Sequence, residues 1–217
     1  MIKILATLAV AVLTSVTVLA APAVPGTLAS YIALGSTGAT IGTTLFSDFK
    51  LELNQTGATQ IPTSILVNPI DLLGAPALDF TVARSALANE LFELKLSYKV
   101  TDLSIEGVGV SLDTFSATGD GAVTATLDLT GPNPQPATLI AFATSGASTP
   151  VESTNFPSVA QVLARTDIVV DGGGGGTSSV RVVRNQFSVA AIPEPGTLLF
   201  GLGIFGVCAT RRFRQRI

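Results

Sequence analysis

The sequence contains no histidine and no tryptophan, and its one cysteine is Cys208. Without histidine, the Ser-His-Asp and Cys-His arrangements of hydrolases are excluded, and so are metal sites built on imidazole. A single cysteine excludes an intramolecular disulfide, so a domain folded from this chain relies on the burial of apolar side chains. Cys208 lies inside an apolar run, where we interpret it as one more small apolar residue.

Charged residues are also scarce, at 12% of the chain, and they are unevenly distributed. Lys3 is the one charge near the start, and four arginines stand among the last seven residues. If these and Glu194 are set aside, 14 acidic and 7 basic residues remain, a net charge of −7. Binding to nucleic acid needs clustered Lys and Arg, so no nucleic-acid partner is expected.

Residues 1–23 have the three parts of a secretory signal peptide. Lys3 is followed by an uncharged apolar stretch from Ile4 to Ala20, and small residues come next. Cleavage by signal peptidase is predicted either after Ala20 or after Ala23, and both positions remain open. The leader predicts export through the secretory pathway, with the body folding outside the cytoplasm.

Residues 192–217 form a second segment that is not expected to belong to the folded body. Residues 196–210 carry no charge, and as a helix they would span about 22 Å, less than the ~30 Å hydrocarbon core. We predict a short transmembrane helix that is accommodated by snorkelling and bilayer thinning. The positive-inside rule places its end in the cytoplasm, and so predicts a transient inner-membrane anchor. The residues of this cytoplasmic end are Arg211, Arg212, Arg214 and Arg216.

The order of Pro-Glu-Pro, short apolar helix and arginine cluster closely resembles the tail of the PEP-CTERM proteins of Gram-negative bacteria. The resemblance implies recognition by an exosortase, a membrane cysteine transpeptidase that would cut near the motif. The body would then reach the cell surface or the exopolysaccharide matrix. Proline fixes φ and cannot continue a helix, so the motif is expected to be extended at the membrane face. The match is carried by Pro193, Glu194, Pro195 and Gly196, the run from Leu198 to Ala209, and Arg211, Arg212 and Arg214.

Residues 24–191 are predicted to form one all-β domain, a β-sandwich or jelly roll, between the signal helix and the transmembrane helix. Apolar and polar residues alternate strictly from Phe92 to Val100, which is typical of a strand with one buried and one wet face. Shorter stretches at 49–53, 78–82 and 123–129 repeat the pattern. A sheet with one apolar face needs a second layer to cover it, and this requirement favours the sandwich.

Several breaks between strands are predicted. The apolar positions change parity between residues 103 and 112, and Gly107 at the change suits a bulge or a tight turn. Asp120-Gly121 indicates a hairpin. Loops are expected at 131–136, which is rich in proline, at 146–157, which is polar, and at 172–176. The last of these, five consecutive glycines, is expected to be flexible and to precede a final strand at 179–189.

Few residues could carry catalysis. Asp102 with Glu106, or Asp113 with Asp120, could in principle form the carboxylate pair of a glycoside hydrolase. Each is instead expected to be a solvated carboxylate on a strand or turn. Asp171 and the glycines after it could offer oxygen ligands to calcium, but no second acid follows at ligand spacing. We therefore assign no catalytic residue, cofactor or metal, and predict that the protein is not an enzyme.

The sequence thus favours an exported structural or adhesive protein of the cell surface or the exopolysaccharide matrix. Its expected partners are signal peptidase, exosortase and, as a candidate, exopolysaccharide. A secreted carbohydrate-binding module is the alternative, and a secreted hydrolase is less favoured. Sugar sites commonly stack the ring on aromatic side chains, but the only tyrosines are Tyr31 and Tyr98. Tyr98 falls on a predicted core face.

Overall fold

The computed structural model describes residues 20–56, 65–131 and 137–190. No helix within these ranges is both long enough and apolar enough to cross a bilayer. The predicted leader helix and tail helix lie outside the described residues. The described elements, in chain order, are β1 (Ala21–Pro22), β2 (Gly26–Thr27), α1 (Leu28–Ala33), β3 (Ala39–Ile41), β4 (Thr44–Thr56), β5 (Leu66–Asp71), β6 (Pro76–Ala86), β7 (Leu91–Thr118), β8 (Ala122–Thr130), β9 (Ala137–Thr144), β10 (Ser148–Thr149), β11 (Val151–Asp171) and β12 (Thr177–Val189).

Two long strands, β7 and β11, run through both layers of a β-sandwich. The first half of β7 pairs with β4 and with the second half of β11, which also pairs with β8. These strands, with β1, β3, β9 and β10, form what we call the first layer. The second half of β7 pairs with β12 and with the first half of β11, and these strands form the second layer with β6, β5 and β2. The predicted all-β sandwich is therefore confirmed.

The alternation predicted between Phe92 and Val100 is confirmed in the first half of β7. Every second side chain from Phe92 to Val100 is buried, and the side chains between them are half exposed. The same pattern holds in β8, where Val123, Ala125, Leu127 and Leu129 are buried. Because the buried side chains of one layer face those of the other, the two layers share one hydrophobic core.

Tyr98 lies at the centre of that core and contacts both layers. Its ring stacks on Phe49 of the first layer, with 5.1 Å between ring centroids. It also lies 5.8 Å from the ring of Phe80 and 6.3 Å from that of Phe187, both in the second layer. The hydroxyl accepts a 2.8 Å hydrogen bond from Asn185 Nδ2, and burial raises the pKa of Tyr98 well above its usual value.

The parity change at Gly107 is a bulge at which β7 bends from the first layer into the second. Opposite β12, the register moves from Gly107 paired with Ser188 to Ile105 paired with Val189. Opposite β11, it shifts again next to Asn155. A Cβ atom at Gly107 would lie only 2.5 Å from Asn155 Oδ1. The glycine is therefore required by close packing, as the parity change predicted.

One local expectation was wrong, and one element was missed. The stretch 146–157, expected to be an irregular loop, contains β10 and the first seven residues of β11. Its apolar periodicity is hidden because Glu152 and Thr154 occupy half-buried inward positions where apolar residues are usual. The missed element is α1, which is only six residues long and is capped by Thr27. It buries Tyr31, whose hydroxyl donates a 2.8 Å hydrogen bond to Val24 O.

Candidate functional site

The body ends beside the bend of β7. Ala190, the last described residue, donates its N–H to Ser104 O at 3.0 Å. Nearby, Asp102 accepts hydrogen bonds from the hydroxyls of Thr43 at 3.0 Å and Thr44 at 2.6 Å. We call the region around Asp102, Ser104 and Ala190 the exit end, because the chain leaves the body there. The predicted sorting and anchor residues 193–195, Arg211, Arg212, Arg214 and Arg216 lie outside the described residues.

The opposite end, which we call the tip, is closed by Asp120 and the five glycines. Asp120 accepts hydrogen bonds from Gly174 N at 2.7 Å and Gly175 N at 2.8 Å. The hydrogen bond from Gly175, and to a lesser extent the one from Gly174, holds the pKa of Asp120 below its usual value. A Cβ at Gly172 would lie 1.8 Å from Leu87 O. The glycines form the predicted turn before the last strand, and Gly172, Gly173 and Gly176 are closely packed against neighbouring backbone. The expected flexibility of this loop stays a prediction.

One candidate carboxylate pair is far apart, and the members of the other are engaged in hydrogen bonds with the protein. Asp113 lies on β7 and Asp120 in the turn beyond it, and the five residue steps from Asp113 to Thr118 alone span roughly 16 Å. That separation exceeds the ~6.5–9.5 Å of an inverting glycosidase. Asp102 is buried and bonded to two hydroxyls, whereas Glu106 is exposed and accepts from Ser104 Oγ at 3.1 Å.

Asp171 has a structural partner of its own. Its Oδ1 accepts a 2.8 Å hydrogen bond from Gly173 N, in the turn that leads into β12. Among the residues that the structure describes, no three or more acidic, cysteine or histidine side chains are grouped as metal ligands would be. The carboxylate that the sequence offered for calcium thus orders the glycine turn.

A trough of about 220 Å³ crosses the outer face of the second layer, where three strands lie side by side. Its floor is Gly109 on β7, in the middle of the three strands. Gly109 pairs with Ser153 of β11 on one side and with Gln186 of β12 on the other. One step along the strands, Asn155 and Ser188 flank the bulge in the same way. Because Gly109 has no side chain, the neighbouring side chains form walls above it.

The side chains that form these walls are polar and uncharged. Within the described residues, the side chains of Ser153, Asn155, Gln186 and Ser188 make no hydrogen bond to another group of the protein. Asn and Gln each carry donors and an acceptor, and serine carries one of each. The trough therefore presents a dense set of hydrogen-bonding groups that the fold does not use.

The charged groups near the trough are already engaged. Arg184, at one end, donates to both carboxylate oxygens of Asp79, at 2.6 and 2.9 Å. The Asp79 hydrogen bond raises the pKa of Arg184. Glu152, which borders the trough, accepts a hydrogen bond from Ile140 N across the gap to β9. The trough consequently offers neither a free cation for an anionic ligand nor a free carboxylate pair for hydrolysis.

The segment that continues beyond the exit end matches a known family. Residues 191–212 match the PEP-CTERM protein-sorting motif. The chain carries a PEP-CTERM sorting motif. The motif starts at residue 191, immediately after Ala190, so it follows the folded body directly. The resemblance seen in the sequence is confirmed, and the motif implies export and a membrane-anchored C-terminal sorting signal.

Two solved structures resemble the body that precedes the PEP-CTERM motif, both of them distantly. The carbohydrate-binding module TmCBM61, solved in complex with β-1,4-galactotriose, is 12% identical, with a TM-score of 0.32 over 63% of this chain and 86% of that one. The enzymatically active domain of bacteriophage CBA120 tailspike protein 4 is 11% identical, with a TM-score of 0.30 over 71% of this chain and 21% of that one. At TM-scores below 0.5, neither likeness supports a conclusion about function. No curated protein matches the sequence.

Sequence reasoning did not find the trough. Its groups come from three strands, around Gly109, Ser153 and Gln186, that are distant in the sequence and become neighbours only through the strand order. One signal was present: Gly109 interrupts a regular strand two residues after Gly107, on the same face. A second glycine of this kind indicates that something approaches the backbone closely.

Proposed function

We propose that this protein is exported, that an exosortase processes it at its PEP-CTERM tail, and that its β-sandwich then serves as a structural or adhesive component of the cell surface or the exopolysaccharide matrix. The observation that carries the proposal is the match of residues 191–212 to the sorting motif. The tail would span the inner membrane transiently, with its arginines in the cytoplasm and the body in the periplasm.

The geometry of the exit end supports this arrangement. Ala190 is hydrogen-bonded to the body, and only Ala191 and Ile192 separate it from Pro193. An extended chain advances about 3.3–3.6 Å per residue, so three residues beyond Ala190 reach at most roughly 11 Å. An exosortase acting at Pro193, Glu194 and Pro195 would therefore work next to a folded domain and release it whole.

The start of the fold favours cleavage of the leader after Ala20 rather than after Ala23. Ala21 and Pro22 form β1, which pairs with Ala39 and Thr40 of β3, and the N–H of Ala23 donates to Thr40 O at 2.7 Å. Cleavage after Ala23 would remove this strand from the sandwich. We expect mass spectrometry of the mature protein to find Ala21 at its N-terminus. An N-terminus at Val24 would contradict this assignment.

A non-catalytic role is part of the proposal. The body has no histidine, and the candidate carboxylates Asp102 and Asp120 are occupied by hydrogen bonds from the protein itself. Asp113 and Glu106 are exposed, and Glu106 accepts a hydrogen bond from Ser104 Oγ at 3.1 Å. These contacts favour a role of the carboxylates in folding rather than in chemistry.

The sorting motif can be tested by the double substitution Pro193→Ala and Pro195→Ala. The variant should keep its tail and remain in the inner-membrane fraction, because the rigid recognition element is lost. Fractionation and mass spectrometry of the C-terminus measure both effects. The matched control is Pro134→Ala with Pro136→Ala, a second Pro-x-Pro sequence in the same chain, which should be processed normally. Normal processing of the Pro193 and Pro195 variant would refute the proposed role of the tail.

A further inference from the structure

Gly109 has no structural reason to be glycine. Its backbone is not in the left-handed region. A Cβ atom there would lie 3.4 Å from both Glu152 O and Ser153 Cβ, which is van der Waals contact. Gly107, two residues earlier on the same face, would by contrast clash. A glycine weakens a strand interior, so its presence where alanine fits indicates that the space above the backbone is used.

The walls of the trough supply the second observation. Ser153 and Asn155 on one side and Gln186 and Ser188 on the other leave their side-chain hydrogen-bonding capacity unused within the described residues. The two rows run alongside β7 from Gly107 to Gly109, a length of about 7 Å. A ligand that meets both rows must carry many donors and acceptors along its length, as a chain of hydroxyl-rich sugar units does.

The shape of the trough and the charges around it restrict the class of ligand that could bind there. The trough, at about 220 Å³, is smaller than the roughly 300–1,000 Å³ pockets that enclose whole small molecules, and it is open above. It therefore suits one side of a long chain. Arg184 and Glu152 are engaged by other groups, and the body has a net charge of −7. The net negative charge of the body would repel an anionic polymer, and the trough offers no free cation to bind it.

We propose that the trough over Gly109 binds a neutral, hydroxyl-rich polysaccharide chain. The ligand is held by hydrogen bonds from Asn155, Gln186 and the two serines, without aromatic stacking, because none of the residues that line the trough is aromatic. Binding through hydrogen bonds alone implies modest affinity at each trough. The inference does not depend on exosortase processing, since the trough lies entirely within the body.

The test is affinity gel electrophoresis of the full chain in a non-ionic detergent. The gels contain a neutral β-glucan, mannan, galactan or dextran, with a polyuronate as the charged comparison. At least one neutral polymer should slow the protein. Gln186→Ala should weaken binding roughly three- to tenfold through the loss of one hydrogen bond. Gly109→Ala should weaken it through the methyl group that fills the floor, while its Tm stays equal to or above that of the wild type.

Gly146→Ala is the matched control, because Gly146 lies near the tip and a Cβ atom there would meet nothing within 4 Å. This variant should bind like the wild type. The proposal is overturned if no neutral polymer slows the protein, if only the polyuronate does, or if folded Gly109→Ala and Gln186→Ala variants bind normally. Because the chain is tested before any processing, failure of the sorting experiment would leave this result intact.

Discussion

The outer faces of the two layers use polar side chains in opposite ways. On the first layer, Lys95 bonds to Glu93 at 2.5 Å and lies 3.5 Å from Asp167 on the neighbouring strand, and Lys99 lies 3.1 Å from Asp48. On this face, ion pairs therefore join neighbouring strands. On the second layer, the face over Gly109 is uncharged, and its amides and hydroxyls have no partners in the described protein.

This difference between the two outer faces indicates where a ligand could gain binding energy. A ligand at the charged face must compete with existing ion pairs and with water around them. At the trough, the protein has already kept the hydrogen-bonding groups in place on rigid strands and has made no use of them. Prepositioned groups on a sheet lose little conformational entropy when they bind. The neutral face is therefore the better candidate surface, even though the charged face is more conspicuous in the sequence.

The largest expected effect comes from removing the side chain that joins the two layers in the core. Tyr98→Ala removes the ring that contacts Phe49 in one layer and Phe80 and Phe187 in the other. It should cost about 3–5 kcal/mol of unfolding free energy, measured by urea denaturation. Tyr98→Phe, the control, keeps the ring and loses only the hydroxyl that accepts from Asn185, so about 1 kcal/mol is expected. Equal losses in the two variants would show that the hydroxyl, and not the ring, joins the layers.

The second prediction compares two glycines on the same face of β7. Gly107→Ala should cost about 1–3 kcal/mol, since its methyl would overlap Asn155 Oδ1 at 2.5 Å and Thr154 O at 3.0 Å. Gly109→Ala should be neutral or should gain up to ~1 kcal/mol, because its methyl fits. Thermal unfolding of both variants measures the difference. A large loss at Gly109 would mean that folding, rather than binding, requires this glycine.

Much of the first layer could be predicted from the sequence. The strict alternation from Phe92 to Val100 indicates one buried face. It can be recognised within a single segment, without knowledge of which strand pairs with it. The parity change around Gly107 likewise reported the bulge, because a one-residue insertion exchanges the two faces of a strand. The hairpin predicted at Asp120-Gly121 was wrong in its pairing. A turn does form there, and Gly121 N donates to Thr118 O at 3.0 Å, but β8 pairs with β9 and β11 and not with β7.

The second layer was harder to predict because its strands are defined by pairing between segments that are distant in the sequence. The first half of β11 pairs on one side only, with β7, and its inward residues Glu152 and Thr154 are polar. An edge strand of this composition, with Pro157 near its middle, has the pattern of a loop. The trough depends on that strand lying beside β7 and β12. No periodicity in one segment encodes such an arrangement, so neither the strand nor the site was predicted.

The smallest predicted effect concerns the charged face. Burial raises the pKa of Asp167, and the attraction of Lys95 opposes that rise. A carboxyl whose folded pKa is raised loses stability as the pH climbs from its unfolded value, near 3.9, through the folded one. Lys95→Met should raise the pKa of Asp167 further. It should cost about 0.2–1 kcal/mol at pH 7 and almost nothing near pH 2, where the carboxyls are protonated.

Urea unfolding at the two pH values, together with NMR titration of the Asp167 carboxyl, measures both parts of this prediction. Lys50→Met is the matched control, because Lys50 lies on β4 of the same layer and forms no ion pair with any described residue. Its stability should follow that of the wild type at both pH values. If Lys95→Met loses the same free energy at pH 2 as at pH 7, packing of the alkyl chain of Lys95 rather than its charge would account for the loss. The first layer would then not be held by its ion pairs, and the contrast between the two faces would rest on the trough alone.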